Sequence, residues 1–335
     1  MTSIKDIARL AGVSPSTVSR VLNEREYVRE EVRQRVLDIV KEQGYVQNHV
    51  ARSMVLQRSF TIGVVIPYLF NMFQRQLFAS MEFFLEQHGY KTQFFFLRWS
   101  EASEQAFLRR LKSETLDGII FIHELDNPII YQYIQERELP VALCTFEKSE
   151  FGFPAVHVEE EASASLAVNY LLQKGHRNIA LITGEHFSFG RQREAGYAKA
   201  LSANGLQVNP ELIIRAPSYN PEAGRASMLT LIKRKQPMSA VFAVTDELAI
   251  GAMKALYEAG LRVPEDVSVI GLDDIDISAF TTPGLTTVRQ PIFEMGKKSA
   301  DLVCDWIAHG RAQSKTELFS TTIVERESVR ARIKE

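Results

Sequence analysis

From residue 61 to about residue 290 the chain repeats one alternation, a short run of apolar, largely β-branched or aromatic residues followed by a segment with apolar residues at helical spacing. The runs fall at 62–67, 92–97, 118–122, 141–146, 179–183, 212–215, 240–244 and 267–272. Most are apolar along nearly their whole length rather than at every second position, as a strand is when helices cover both faces of its sheet. Helical segments at 73–89, 162–175, 190–205 and 246–260 supply that cover. The alternation predicts an α/β fold built on parallel sheet. Eight strands are compatible with one long sheet or a closed barrel; the sequence favours two similar halves, with the polar stretch 147–153 as the boundary.

The first sixty residues keep a different period. Ser3 is placed to cap a helix whose Ile4, Ile7, Ala8 and Ala11 form one apolar stripe, and Gly12 stands where that helix must stop. After Val13, Ser14 supplies a second N-cap and Pro15 a first helical position, where a missing N–H costs nothing. This second helix, running to about Asn23, buries Val18, Val21 and Leu22 and turns Pro15, Ser16, Ser19 and Arg20 outward. A third helix from about 30 to 43 carries Glu30 and Glu31 in its first turn, Val32, Val36, Ile39 and Val40 on one face, and Gly44 as its stop. Such a trio is the helix-turn-helix arrangement, in which the start of the second helix enters the DNA major groove. Arg20 then matches guanine O6 and N7 with two parallel hydrogen bonds, Ser16 reaches a base or a phosphate, and Pro15 offers apolar contact to a thymine methyl. The competing description is a small three-helix domain whose outward residues are merely solvated.

Charge separates the same two regions. Residues 1–58 hold ten Lys and Arg against seven Asp and Glu, a net +3, so the overall −2 leaves −5 on the rest. A basic head on an acidic body indicates separate tasks. With no apolar run at the start and none long enough for a membrane span, the chain is expected in the cytoplasm, associated with the bacterial nucleoid when bound to DNA. Two cysteines, Cys144 and Cys304, sit among apolar neighbours and read as packing residues, not a disulfide framework.

In open parallel sheets ligands bind beyond the carboxyl ends of the strands. Asp246, Asp273 and Asp274 follow such ends, and Arg191 and Arg193 open the helix after another. Singly these are ordinary caps and ion pairs; together an arginine fork and two carboxylates suit a small polyhydroxylated molecule. Phe73, Phe187, Phe189 and Tyr219 lie near the same ends, as core packing or as surfaces for sugar rings. Enzyme signatures are missing: there is no Gly-x-Ser-x-Gly, no phosphate loop with its lysine, no Gly-x-Gly-x-x-Gly, and the seven His show no metal spacing, so no cofactor or metal is expected.

The run Ile4-Lys5-Asp6-Ile7-Ala8-Arg9-Leu10-Ala11-Gly12-Val13-Ser14, continued by Ser16-Thr17-Val18-Ser19-Arg20-Val21-Leu22-Asn23, resembles the signature of the lactose-repressor (LacI/GalR) family. So do Gly44-Tyr45 and Asn48-His49-Val50-Ala51-Arg52-Ser53-Met54, the latter similar to the family's hinge helix, which folds in the minor groove and wedges a base step apart. Similar motifs continue through Lys174-Gly175-His176-Arg177-Asn178-Ile179-Ala180, Arg191-Gln192-Arg193-Glu194-Ala195-Gly196-Tyr197, Gly271-Leu272-Asp273-Asp274, Leu285-Thr286-Thr287-Val288-Arg289-Gln290-Pro291, and Arg326-Glu327-Ser328, which is like the family's closing strand. The resemblance implies an all-α head over 1–46, a hinge over 47–59 and a periplasmic-binding-protein-like core over 60–335. It places lobe one at about 60–158 and 288–320, and lobe two at about 159–287 and 321–335. It adds Thr17, Asn23, Asn48, Ala51, Arg52, Met54 and Val55 to the DNA-contacting set, and assigns Phe73, Gln74, Arg193, Tyr219 and Asp273 to an effector site. Gln47 in place of proline and Met54 in place of leucine imply a less pre-organised hinge; Thr245 in place of asparagine and Glu159-Glu160 in place of Asp-Asn set this core apart from its relatives.

The expectation is thus a dimeric repressor on a palindromic operator, controlled by a sugar-like effector, with the chain ending soon after Ser328 and lacking the leucine-rich tail of tetrameric relatives. One alternative is a protein co-regulator docked on 291–310, as in the family's catabolite control proteins. Phe293, Glu294 and Asp301 stand where those have tyrosine, aspartate and arginine, which argues against that partner. The other, a secreted sugar-binding protein without DNA function, fits the core but not the basic head.

Overall fold

The computed structural model describes residues 2–22, 28–45, 58–67, 71–98, 100–122, 124–184, 188–310 and 316–332. Asn23, Gln47, Asn48, Ala51, Arg52, Met54, Val55 and Phe187 lie outside them. Contacts divide the chain into two units, Met1–Phe60 and Thr61–Glu335.

In the first unit, helices α1 (Ile4–Ala11), α2 (Pro15–Leu22) and α3 (Glu30–Glu42) pack around Ile7, Ala8, Ala11, Val18, Val21 and Val36. A reciprocal cap starts α1: the Asp6 amide donates to Ser3 Oγ at 3.3 Å and the Ser3 amide donates to Asp6 Oδ2 at 3.0 Å. Gly12, at φ 64°, ends it in the left-handed conformation that a residue with a side chain takes only at a cost. Ser14 Oγ accepts the Thr17 amide at 3.1 Å and so caps α2.

The second unit is two six-stranded sheets. The first contains β1 (Thr61–Pro67), β2 (Lys91–Leu97), β3 (Gly118–Phe121), β4 (Val141–Cys144), β5 (Ala155–Val158) and β11 (Thr316–Phe319). The second contains β6 (Ile179–Gly184), β7 (Ile213–Ala216), β8 (Ala240–Ala243), β9 (Ser268–Asp273), β10 (Thr286–Arg289) and β12 (Thr322–Val324). Their orders are β11-β5-β4-β3-β1-β2 and β12-β10-β9-β8-β6-β7, parallel throughout except for β12 against β10. Around the first sheet lie α4 (Met72–Gln87), α5 (Glu101–Ser113), α6 (Pro128–Glu136) and α11 (Ile292–His309). Around the second lie α7 (Glu160–Gln173), α8 (Ser188–Ala203), α9 (Pro221–Lys233) and α10 (Asp246–Glu258). The chain crosses between sheets three times, after β5, after β10 and between β11 and β12.

Two sequence expectations change here. The stretch 147–153 is not a boundary: Phe151 and Phe153 stack 5.7 Å apart in the first sheet's core, and β5 follows before the chain crosses. Nor are residues 326–328 a strand, since β12 ends at Val324. Ser328 still links strands, because its hydroxyl donates to the β9 carbonyl of Val269 at 2.6 Å and accepts the Thr286 amide of β10 at 2.8 Å.

Candidate functional site

Parallel strands point their carboxyl ends one way, so the loops after them and the starts of the following helices meet on one side. In the second unit they enclose a cavity of about 1240 Å³. From the first sheet's side come Asn71, Phe73 and Gln74 at the start of α4, Ser100 and Glu101 at the start of α5, Asn127 before α6, and Thr145 and Phe146 after β4. The second sheet's side contributes Phe189, Arg191 and Arg193 of α8, Tyr219 and Asn220 before α9, Thr245 and Glu247 at α10, and Asp273 at the end of β9.

Capping builds several of these positions. Asn71 Oδ1 accepts the Gln74 amide at 2.9 Å, and Gln74 Oε1 accepts the Asn71 amide at 3.0 Å. Asn220 Oδ1 accepts the Ala223 amide at 2.9 Å. Glu104 accepts the amides of Asp126 at 3.0 Å and Asn127 at 2.9 Å, which fixes the loop that starts α6.

Arg193 is the most constrained side chain in the wall. Only 3% exposed, it donates from Nε to Glu160 Oε2 at 2.6 Å and from Nη1 to the Val244 carbonyl, with Asp273 Oδ1 at 3.7 Å. The Phe189 ring lies 4.8 Å from its guanidinium carbon. Asp273 in turn accepts from Gln290 Nε2 at 2.8 Å, and burial pushes its carboxyl well above the ordinary range. Backbone strain concentrates here: Thr145, Asp273 and Asp274 have φ of 76°, 139° and 60°, conformations that cost about 1–3 kcal/mol each and persist where surroundings enforce them. Asp274 is enforced by Arg289 and Arg326, each 2.6 Å from one of its oxygens.

Phe73, Gln74, Arg193, Tyr219 and Asp273 therefore share one cavity wall. Asp246 does not. It is fully buried beneath the wall, accepting from the Ile275 amide at 3.0 Å, the Ser278 hydroxyl at 2.6 Å and the Thr287 hydroxyl, and Thr245 rather than Asp246 caps α10. Its role is to tie α10 to the segment after β9 and to β10. The neighbouring Glu247, which the sequence reading passed over, lines the cavity instead. Burial pushes Glu247 up to about 7 although its carboxylate accepts the Met72 amide at the start of α4. A second contact between the two sides is the Ser188 hydroxyl donating to Glu124 at 3.0 Å. Helical phase is the signal that separates Asp246 from Glu247, since successive residues of a helix point about 100° apart.

In the head unit, Pro15, Ser16 and Arg20 are exposed and Thr17 and Ser19 half-exposed on α2. The Ser14 hydroxyl lies 2.7 Å from that of Ser16 and 2.9 Å from that of Thr17, so capping and the outward face share one hydroxyl cluster.

Comparison with known proteins follows the same division. Residues 3–48 match the family described as bacterial regulatory proteins, lacI family, and residues 168–329 match a periplasmic binding protein-like domain. The probable HTH-type transcriptional repressor ExuR of Bacillus subtilis (strain 168) is 33% identical over 336 residues, covering 98% of this chain and 99% of the relative. Among solved structures, the lac repressor dimer bound to operator and the anti-inducer ONPF is similar with a TM-score of 0.85 and 26% identity, over 98% of this chain and 99% of that one. A complex of the transcriptional regulator CelR with cellobiose matches with a TM-score of 0.74 and 28% identity, over 98% and 100%.

Proposed function

The chain belongs to the LacI family of bacterial regulatory proteins, and on that premise we propose that it is a transcriptional repressor that binds a palindromic operator as a homodimer and is controlled by a sugar-like effector. One observation carries this reading. A single chain holds a helix-turn-helix head with Arg20 exposed on α2, and a two-sheet core whose cavity is built around buried Arg193 and Asp273. One short recognition helix contacts too few bases to select a site alone, which is why such heads work in pairs on two half-sites. On this reading the protein acts in the cytoplasm, on the nucleoid when bound, and among the described residues no helix is long and apolar enough to cross a membrane.

In the major groove Arg20 reads a guanine, with Pro15, Ser16, Thr17 and Ser19 placing the helix against bases and phosphates. In the cavity Phe73 and Tyr219 take sugar faces, while Gln74, Arg193 and Asp273 bond hydroxyls. Effector binding shifts operator affinity by its preference for one arrangement of the two sheets over the other, a coupling of about 1–3 kcal/mol in typical cases.

The test uses an operator selected from random DNA with the full-length chain. Arg20→Ala lowers operator affinity by about 1–3 kcal/mol and relaxes preference at one position, with the core's thermal transition unchanged. Asp273→Asn removes the effector response and leaves affinity for the operator alone intact. Equal weakening by Arg20→Ala on operator and on random DNA contradicts base reading; an Asp273→Asn protein that responds normally contradicts the cleft assignment.

A further inference from the structure

Charge on the cavity wall is lopsided. The first sheet's side brings Glu101, Glu104, Glu124 and Asp126 to it, and the second brings Glu160, Glu247 and Asp273. Against these seven carboxylates the described lining residues supply two guanidiniums, Arg191 and Arg193. Arg193 is already committed within the wall, to Glu160, Asp273 and the Val244 carbonyl. Lys148, 2.8 Å from Glu124, offsets one more carboxylate behind the lining. Burial favours the protonated form of Asp273 and Glu247, and Glu160 and Glu124 have their cations. With those set aside, Glu101, Glu104 and Asp126 stand against Arg191, so the excess on the described lining is negative, and it is framed by apolar groups, Phe73, Leu108, Ile122, Phe146 and Phe189.

A cleft lined by one sign of charge with low-dielectric walls focuses its potential and concentrates ligands of the opposite sign. Within this one, burial pushes Glu247 up to about 7, with the buried Asp246 charge acting in the same direction. A cation bound beside Glu247 relieves that cost, whereas an anion adds to it. Neutral hydroxyl donors relieve it less than a cation does. The volume of about 1240 Å³ exceeds the roughly 300–1,000 Å³ of ordinary ligand pockets, so the space admits more than one ring.

Resting on the reading of this cavity as the effector site, we infer that the effector is a hydroxylated amine, an amino sugar or short amino oligosaccharide, whose ammonium is received by carboxylates including Glu247 and Glu160. A sugar acid or sugar phosphate meets the wrong sign of field. Glu247 is then a specificity-determining residue. Its carboxylate comes from the second residue of α10 and accepts the Met72 amide, so a bound ammonium there sits on a group that already joins both sides of the cleft.

The experiment is calorimetric titration of the full-length chain with matched panels in the gluco, galacto and manno configurations. Each panel contains the 2-amino sugar, the parent sugar and the uronic acid, as monosaccharides and as β-1,4-linked disaccharides. Titrations are run at ionic strengths of about 0.01 M and about 0.15 M, where charges are screened over roughly 30 Å and 8 Å. The amine of the recognised configuration binds several-fold more tightly than its parent, and its advantage shrinks at the higher salt. Glu247→Gln reduces that advantage, and Glu101→Gln, at an exposed position, reduces it less. A uronic acid that binds as tightly as the amine overturns the inference and leaves the effector reading standing, and so does a parent sugar that matches the amine at both salts. Binding by no member of any panel overturns the effector reading itself, and this inference with it.

Discussion

The two sheets of the core share one strand order, apart from the direction of the late edge strand, and differ in what their cavity faces are made of. Counting strands within each sheet, both run second, first, third, fourth, fifth, with a late strand at the far edge. Among the described residues, however, four of the five buried Asp, Glu and Arg side chains, Glu160, Arg193, Asp246 and Asp273, belong to the second sheet's side. Glu104 is the fifth, and it serves backbone amides rather than another charge. The first side thus offers capped helix ends and aromatic rings, and the second a pre-ordered ionic cluster. Repeating a topology does not repeat the chemistry at its strand ends, because side chains there are free of the apolar pattern that the sheet demands.

The largest expected effect comes from breaking the ionic cluster. Arg193→Met leaves Glu160 and Asp273 buried without their cation, and removal of one partner from a buried pair typically costs about 3–5 kcal/mol. The denaturant midpoint of the core falls accordingly; a fall no greater than that of an exposed control such as Arg191→Met removes the distinction between the two sides. Glu104→Gln is the matching test on the first side. It replaces one of two acceptors by a carboxamide N–H donor facing a backbone N–H, at a cost of about 1–2 kcal/mol, and the two substitutions are expected to rank in that order.

The smallest effect is a pH dependence. His176 is buried, with Nδ1 3.1 Å from the Ser239 hydroxyl and Nε2 3.1 Å from the Arg330 carbonyl, which only a protonated Nε2 can satisfy. Burial, with Arg332 and Arg330 nearby, lowers its pKa despite the Arg330 carbonyl bond, so the folded core holds the ring neutral. A depressed histidine pKa gives stability that is present above the unfolded value of about 6.5 and is lost as pH falls below it. Comparing the unmodified core with His176→Gln between pH 8 and pH 5 isolates this contribution; identical slopes for the two proteins show that His176 does not supply it.

The head was legible because caps and stripe agree: Ser3, Gly12, Ser14 and Pro15 mark the ends of the helices whose apolar residues the stripe aligns. Central strands were legible for a related reason, since burial on both faces leaves continuous apolar runs such as Gly118–Phe121 and Ala240–Ala243. The interior strands β5 and β10 were not, nor were the edge strands β11 and β12, although the other two edges, β2 and β7, were. Thr316–Phe319 and Thr322–Val324 are short and partly exposed, so nothing in their composition distinguishes them from loop. In the site, Arg193 and Asp273 were found through their places after strand ends together with motif resemblance, and Asp246 was placed in the cavity because a carboxylate after an apolar strand looks the same whether it faces a ligand or three internal donors. Helical phase separates Asp246 from Glu247, and that phase is set by where the strand hands over to the helix.

Tyr219 lies against the backbone of Gly184 and Gly190 so closely that a single methyl group at either position collides with its ring or hydroxyl. The ring therefore behaves as a shutter seated on a bare frame, and the depth of the cavity beside it is set by two missing side chains. Thickening the frame by one carbon displaces the Tyr219 ring and hydroxyl without altering a charged group of the wall. On the effector reading proposed above, a regulator changed in this way loses its response to large effectors while the charged groups of the wall are still in place.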